Sequence, residues 1–533
     1  MIKKNCNAII YVEVFMKKVI SALLVACLAL STLAGCTKSG KDDGTQIDKS
    51  QQTQAVTNEP VTVKVFRPMS WKLNEDNELI KKEIAKKSGI NIEFMVASSN
   101  QSEWKQKLNL MLASGDIPDT MVIDADTYYE YANQGVFSNV TDKIKDYPNL
   151  VKYITPEIFE RIKVGGNVYG IPNINTKGKL NLYIRKDWLD KLNLQPPKTL
   201  EEFYNVAKAF TENDPDGNGQ KDTVGFGQNG GYFTQFIEGA YGINSGYYTL
   251  NNDKEIVTGS ISDSYKKSLE FTKKMIDAGY VDKETFVMKS EQFRDKFIQG
   301  KIGMFAGWWS DAHVYAVQYK MYETNPEAEI LAIDLPAGPN NQKGMPAWNE
   351  LGGMVGISKN IKDADAALKM CDFLVSDEGW KLSMVGIENL HWKQENGKVT
   401  FVADSAKKDL NGKPVQDILV YMLLMKKELY PNYQLAGDSI ESTIARVNYT
   451  KADNNPLISD LFVGLSTKES AQYKADVVKY ESEMKLKFLL GQESLDNWGK
   501  YVNEWKKRGG EEVRNSLLNA YNQKYGTKYI FAD

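Results

Sequence analysis

Between positions 214 and 222 the chain reads Asp-Pro-Asp-Gly-Asn-Gly-Gln-Lys-Asp, so oxygen side chains fall at relative positions 1, 3, 5 and 9 (Asp214, Asp216, Asn218, Asp222). The Gln220 carbonyl stands at position 7 and Gly219 at position 6. A loop with this spacing wraps a hard divalent cation in oxygen ligands, and the glycine permits its sharp turn. The twelfth position is Gly225 in place of a bidentate Glu, which leaves the shell to be completed by a carboxylate from elsewhere. We therefore expect a structural Ca2+ on Asp214, Asp216, Asn218, Gln220 and Asp222. Covalent chemistry has fewer means. Only His313 and His391 could serve as imidazole bases, and no Gly-x-Ser-x-Gly elbow, His-Glu-x-x-His helix or P-loop accompanies them. Cysteines at 6, 27, 36 and 371 and two histidines cannot assemble a zinc cluster. Cys371 falls on the stripe Ala364, Ala367, Leu368, Cys371, Leu374, the spacing of a buried helix face, and reads as a structural thiol. With 69 acidic residues, a carboxylate pair fit for glycoside hydrolysis stays open as a second reading.

Non-covalent recognition is better provided for. Aromatic residues make up 11% of the chain, including 28 Tyr and 10 Trp. A ring can cover the apolar C–H face of a pyranose while Asp and Asn accept from its hydroxyl rim. Several rings follow expected strands at their carboxyl ends, where α/β sheets bind ligands. Trp71 follows the strand ending at Phe66, Tyr128 and Tyr129 follow Ile123, and Trp308 and Trp309 follow Phe305. Asp126, Asp311 and Glu350 neighbour these rings or Trp348 and are the polar candidates. Trp392 is a further ring on a loop after Gly386-Ile387-Glu388, while Trp188 is assigned to packing.

The elements that must carry these groups are legible in the periodicity. Val61, Val63 and Val65 alternate with polar residues, Leu79, Ile80 and Ile84 mark a helix closed by Gly89, and Ile90, Ile92, Phe94 and Val96 alternate again. A helix through Trp104, Leu108, Met111 and Leu112 stops at Gly115, and Thr120 to Ile123 follows as a strand; this βαβα order implies a parallel α/β sheet. Thr199-Leu200-Glu201-Glu202 forms a capping box ahead of Phe203, Val206, Ala207 and Phe210. Phe293 and Phe297 mark a helix ending at Gly300, with a short strand over Ile302 to Phe305 and mostly helix beyond residue 400.

At 533 residues and 60.1 kDa the chain exceeds one hydrophobic core. A charged content of 25% and a mean hydropathy of −0.43 exclude a polytopic membrane protein. With 66 Lys+Arg against 69 Asp+Glu, the net charge of −3 argues against a nucleic-acid partner. Residues 1–35 read as a signal peptide, with Met16-Lys17-Lys18 as the basic region, an apolar run 19–30 too short to span a bilayer and small residues at the cleavage point. Leu33-Ala34-Gly35-Cys36 resembles the lipobox of bacterial lipoproteins, whose cysteine is acylated and becomes the mature N-terminus. Residues 37–60 are almost free of large apolar side chains and read as a tether, spanning roughly 25 to 30 Å as a flexible coil.

Ala113-Ser114-Gly115-Asp116-Ile117-Pro118-Asp119, Tyr169-Gly170-Ile171-Pro172, Arg185-Lys186-Asp187-Trp188-Leu189, Gly300-Lys301-Ile302-Gly303-Met304 and Gly386-Ile387-Glu388 follow one another downstream of the lipobox. In order and spacing this set resembles the extracellular solute-binding proteins (family 1) of ABC transporters, specifically the large lipoproteins of oligosaccharide importers. The resemblance implies an α/β, two-lobed periplasmic-binding-protein-like fold with an interlobe ligand cleft and hinge closure. By it, 61–175 with 338–388 form one lobe and 176–337 with 389–533 the other, and the calcium loop is structural and away from the cleft. The expected protein is a monomer without catalysis, anchored through Cys36 to the extracytoplasmic face of a cell membrane of Gram-positive type. It captures an oligosaccharide and delivers it to ABC permease subunits. The alternatives are a surface glycoside hydrolase and a binding protein for a peptide or another non-sugar solute.

Overall fold

The computed structural model describes residues 59–68, 75–98, 100–228, 232, 234–286, 288–318, 320–395, 398–401, 423–424 and 440–532. Cys36, the signal peptide, the tether up to residue 58 and Trp71 lie outside the described residues.

The alternating valines form the strand Val61–Pro68, which runs parallel to both Ile90–Ala97 and Thr120–Ile123. Parallel neighbours need long crossovers, and the helices Glu75–Ser88 and Gln101–Ser114 supply them. The second helix stops where Gly115 turns left-handed, at φ 79°. A distant segment, Leu351–Ile357, then enters antiparallel between Thr120–Ile123 and Gly170–Ile174, so this five-stranded sheet is mixed where the local βαβα order implied a parallel one. A four-stranded sheet holds Ile330–Ile333, Leu180–Arg185, Ile302–Trp308 and Val224–Gln228 in that order. Its two central strands are antiparallel, and Val224–Gln228 lies parallel to Ile302–Trp308.

Each sheet has its own buried cluster. Val65, Phe66, Ile92, Ile171, Val355, Leu368 and Leu424 belong to the first, and Leu182, Trp188, Phe203, Phe226, Met304, Phe488 and Trp505 to the second. Cys371 sits fully buried in the first cluster on the helix Ala364–Val375, and burial pushes its thiol up to about 12. Trp188 packs edge-on against Phe210, with centroids 5.3 Å apart. Thr199 caps the helix Leu200–Glu212 by accepting from the Glu202 N–H at 3.2 Å. The return bond of the expected capping box differs, because the Glu202 carboxylate accepts from the Lys198 N–H at 2.7 Å.

Candidate functional site

Among the described residues two chain segments, 175–179 and 346–350, run between the two buried clusters and lie side by side, and a third segment, 452–455, lies against them. The Asn175 N–H donates to the Glu350 carbonyl at 2.8 Å and the Trp348 N–H to the Lys177 carbonyl at 2.9 Å. The third segment closes against the first: Thr176 donates to Asp453, and the Asn455 amide donates to the Leu180 carbonyl at 2.9 Å. Gly178 is required here, since a Cβ would stand 2.1 Å from the Ala452 carbonyl oxygen.

An aromatic group gathers at these crossings. Trp308 is the last residue of its strand, paired with Leu180, and so stands at the sheet end from which the first crossing departs. Its indole N–H donates to the Tyr232 hydroxyl at 2.7 Å, and its ring centroid lies 5.2 Å from that of Trp348. The Lys179 ammonium sits 5.5 Å from the Trp308 ring and 5.2 Å from the Trp348 ring, a cation–π arrangement with two indoles. Desolvation in that place holds its pKa below the ordinary lysine range. The Asp311 carboxylate accepts from the Trp308 backbone N–H at 2.7 Å, which fixes the turn that presents the ring. The Trp348 indole N–H is buried and has no acceptor among the described residues. Beside it, Glu350 pairs with Arg161 at 3.3 Å and Lys177 at 3.4 Å. Arg161 also donates to the Asn349 side chain at 3.2 Å. Arg161, Lys177, Trp348, Glu350, Asp460 and Tyr525 face a cavity of about 340 Å3.

The structure therefore brings Trp308, Asp311, Trp348 and Glu350 together. Trp309 is adjacent, but it packs against His313 and, at 5.3 Å, edge-on against Tyr449 of the helix Ile440–Asn454. Tyr129 is half-buried and donates to the Arg161 carbonyl at 2.8 Å. Tyr128 is a correction: it is fully buried in the first cluster and donates to the Ile162 carbonyl at 2.9 Å. The physical reason is that no loop follows Ile123. Asp124 caps a helix at once by accepting from the Thr127 N–H at 2.7 Å, and helical spacing turns Tyr128 and Tyr131 inward together. Asp126 lies exposed in that helix's first turn. Trp392 is likewise a buried ring; its indole N–H donates to the Gly386 carbonyl at 2.9 Å, beside a separate groove with Lys87, Glu378 and Lys381. Lys177, Lys179, Arg161 and Tyr232 were not expected. The signal for the two lysines was Lys177-Gly178-Lys179 directly after the expected lobe crossing at 175.

The loop 214–222 curls its oxygens inward. Asp214 accepts from the N–H groups of Gly217, Asn218 and Gly219 at 3.0 to 3.1 Å, and the Asn218 amide donates to Asp216 at 2.8 Å and Asp222 at 3.3 Å. Burial and the neighbouring Asp214 raise the Asp216 pKa, whereas the Gly219 N–H leads the effects that lower that of Asp214. Lys301 pairs with Asp222 at 2.5 Å. Gly225 cannot be replaced by a ligating Glu, because a Cβ there would meet the Ala207 carbonyl oxygen at 2.2 Å. Among the described residues no three His, Cys, Asp or Glu side chains are grouped to hold a metal.

Two sheets joined by adjacent crossings, with rings and charges gathered there, define a two-lobed binding protein. The bacterial extracellular solute-binding protein family matches residues 72–379, and the chain belongs to that family. It is a solute-binding protein and not an enzyme. The polygalacturonan/rhamnogalacturonan-binding protein YtcQ of Bacillus subtilis (strain 168) is 27% identical over 431 residues, 79% of this chain and 83% of YtcQ. Lipoprotein LipO of the same strain is 26% identical over 514 residues, 93% of this chain and 97% of LipO. The S. pneumoniae ABC-transporter substrate binding protein FusA in complex with kestose has the same fold, with a TM-score of 0.66 at 22% identity over 88% of this chain and 100% of FusA. FusA has also been solved as an EF-hand mutant in complex with fructo-nystose. Among the described residues no helix is long and apolar enough to cross a membrane.

Proposed function

We propose that this chain is the lipid-anchored, extracytoplasmic receptor of a carbohydrate importer, capturing an oligosaccharide between its lobes and handing it to ABC permease subunits. The observation that carries the reading is the Trp308, Trp348 and Tyr232 cluster at the crossings, where tilted and edge-on rings gather beside charged side chains, since aromatic faces with polar rims suit pyranoses. The division into 61–175 with 338–388 and 176–337 with 389–533 is retained with two changes. Met345 packs with the second cluster and Leu423 and Leu424 with the first, which favours crossings nearer 346 and beyond 424. The relatives' names span an acidic polysaccharide for YtcQ and fructooligosaccharides for FusA, so they support a sugar and leave its charge to this chain's own residues. A thermal-shift screen of oligosaccharides with product analysis tests the reading: binding raises the melting temperature by mass action and the sugar returns intact. A screen in which no sugar shifts the transition, or the best one is hydrolysed, would overturn it.

The anchor is assigned to Cys36, with LipO as a lipoprotein relative in support. Two acyl chains give stable membrane residence where one does not. Cys36→Ala is expected to free the protein into the medium or leave its precursor unprocessed. Retention of an acylated variant would refute the anchor.

Asp214, Asp216, Asn218, the Gln220 carbonyl and Asp222 are the proposed calcium ligands, supported by the loop's oxygen geometry and by the EF-hand of FusA. A bound cation would supply stability. Chelation is expected to lower the melting temperature and leave sugar preference unchanged; unfolding curves insensitive to calcium would remove the assignment.

A further inference from the structure

Among the described residues several cations around the crossings are ion-paired. Arg161 and Lys177 share Glu350, Lys451 is paired with Asp334, and Lys485 with Glu238. Lys179 makes no ion pair among the described residues, although its ammonium sits over the rings of two indoles and is partly removed from water. The Asp311 carboxylate beside these rings accepts from the Trp308 N–H. Cation–π attraction offsets part of an ammonium's desolvation, and a carboxylate partner offsets much more.

From this placement we propose that the ligand is acidic: Lys179 is the specificity-determining residue that pairs with the carboxylate of a uronate-bearing oligosaccharide. The inference rests on the carbohydrate reading above and names the class within it. A uronate ring has an apolar C–H face for an indole and a carboxylate at C6 on its rim. Stacking one such ring on Trp308 or Trp348 brings that carboxylate toward the ammonium that sits over both indoles. A neutral hexose carries a hydroxymethyl group there; it would shed water from Lys179 without supplying a counter-charge. An amino sugar would add a second cation. The buried Trp348 indole N–H, without an acceptor, provides a further donor on the same ring pair.

The test is calorimetric titration of the full-length protein with paired ligands that differ only at C6: tri-α-1,4-galacturonate against α-1,4-galactotriose, and the corresponding mannuronate and mannose trisaccharides. The acid member of at least one pair is expected to bind tenfold or more tightly than its neutral counterpart, with the advantage shrinking as salt rises. Lys179→Met should weaken the acid by about 10- to 100-fold and weaken the neutral sugar far less or not at all, so that the acid-to-neutral ratio collapses, and Lys179→Arg should retain the preference. A purely structural lysine would move both ligands equally, and that outcome overturns the proposal. So does a wild-type preference for the neutral members, a result that needs no variant to fold. Binding of neutral sugars alone would overturn the acidic class and spare the carbohydrate reading, whereas silence from every sugar of either charge would remove both.

Discussion

Replacing Lys485 with Met is expected to destabilise the protein by about 3 to 5 kcal/mol, because it strands a buried carboxylate. Glu238 is 1% exposed on the helix Gln235–Ala240 and accepts from the Thr234 hydroxyl at 2.7 Å, the Ser245 N–H at 2.9 Å and Lys485 at 3.1 Å. Burial alone would raise its pKa, but the Lys485 charge and the hydrogen bonds outweigh that and hold it below the usual carboxylate range. A depressed carboxylate contributes stability above its unfolded pKa, about 4.3, and that contribution is lost as pH falls through the lower folded value. In Lys485→Met the sign reverses: burial now dominates, the folded pKa rises, and the variant's deficit shrinks as acid protonates Glu238. Adding Glu238→Gln should restore part of the loss, since the amide keeps hydrogen bonding without the buried charge. Denaturant unfolding across pH measures all three variants. A Lys485→Met protein as stable as the parent at pH 7 would show that Glu238 is compensated by other means.

Which parts of this architecture could be read from sequence follows from the range over which each signal acts. Val61, Val63 and Val65 declare a strand by local alternation, and Gly115 declares a helix end by the left-handed turn it permits. Nothing local says that Leu351–Ile357 will insert antiparallel beside Thr120–Ile123, because that pairing joins residues more than 200 positions apart. The same limit governs the site. Trp308 was expected on a loop after Phe305, yet the strand continues to Trp308 itself, where Ala306 and Gly307 pair with Leu182 and Asn181. Position at the sheet end was readable although the element was misjudged by three residues. Tyr128 failed for a definite reason: a helix begins directly at the strand end, and its 3.6-residue period delivers the ring to the core. Lys179 carries no motif. Its significance arises only when two tryptophans 40 positions apart in sequence close upon it from different segments.

Trp308→Ala is expected to weaken oligosaccharide binding by roughly 1 to 3 kcal/mol, which is about five- to 150-fold in affinity. The indole is half-buried at the crossings and takes part in three interactions that its removal deletes together: the tilted ring contact with Trp348, the hydrogen bond to Tyr232 and the cation–π contact with Lys179. Part of the loss is therefore indirect, because Trp348 and Tyr232 are left without the ring that orients them. A double-mutant cycle with Trp348→Ala separates the two, since rings 5.2 Å apart should show coupling and not additivity. Trp309→Ala supplies the contrast. Its ring is committed to His313 and Tyr449, so the variant should lose stability through the helix Ile440–Asn454 and lose much less affinity. Titration of the best-binding sugar against each variant, with unfolding curves run in parallel, distinguishes a ligand platform from a packing ring. If Trp308→Ala and Trp348→Ala both bind the sugar as tightly as the parent, the ligand does not sit on this ring pair and the aromatic group is part of the hinge.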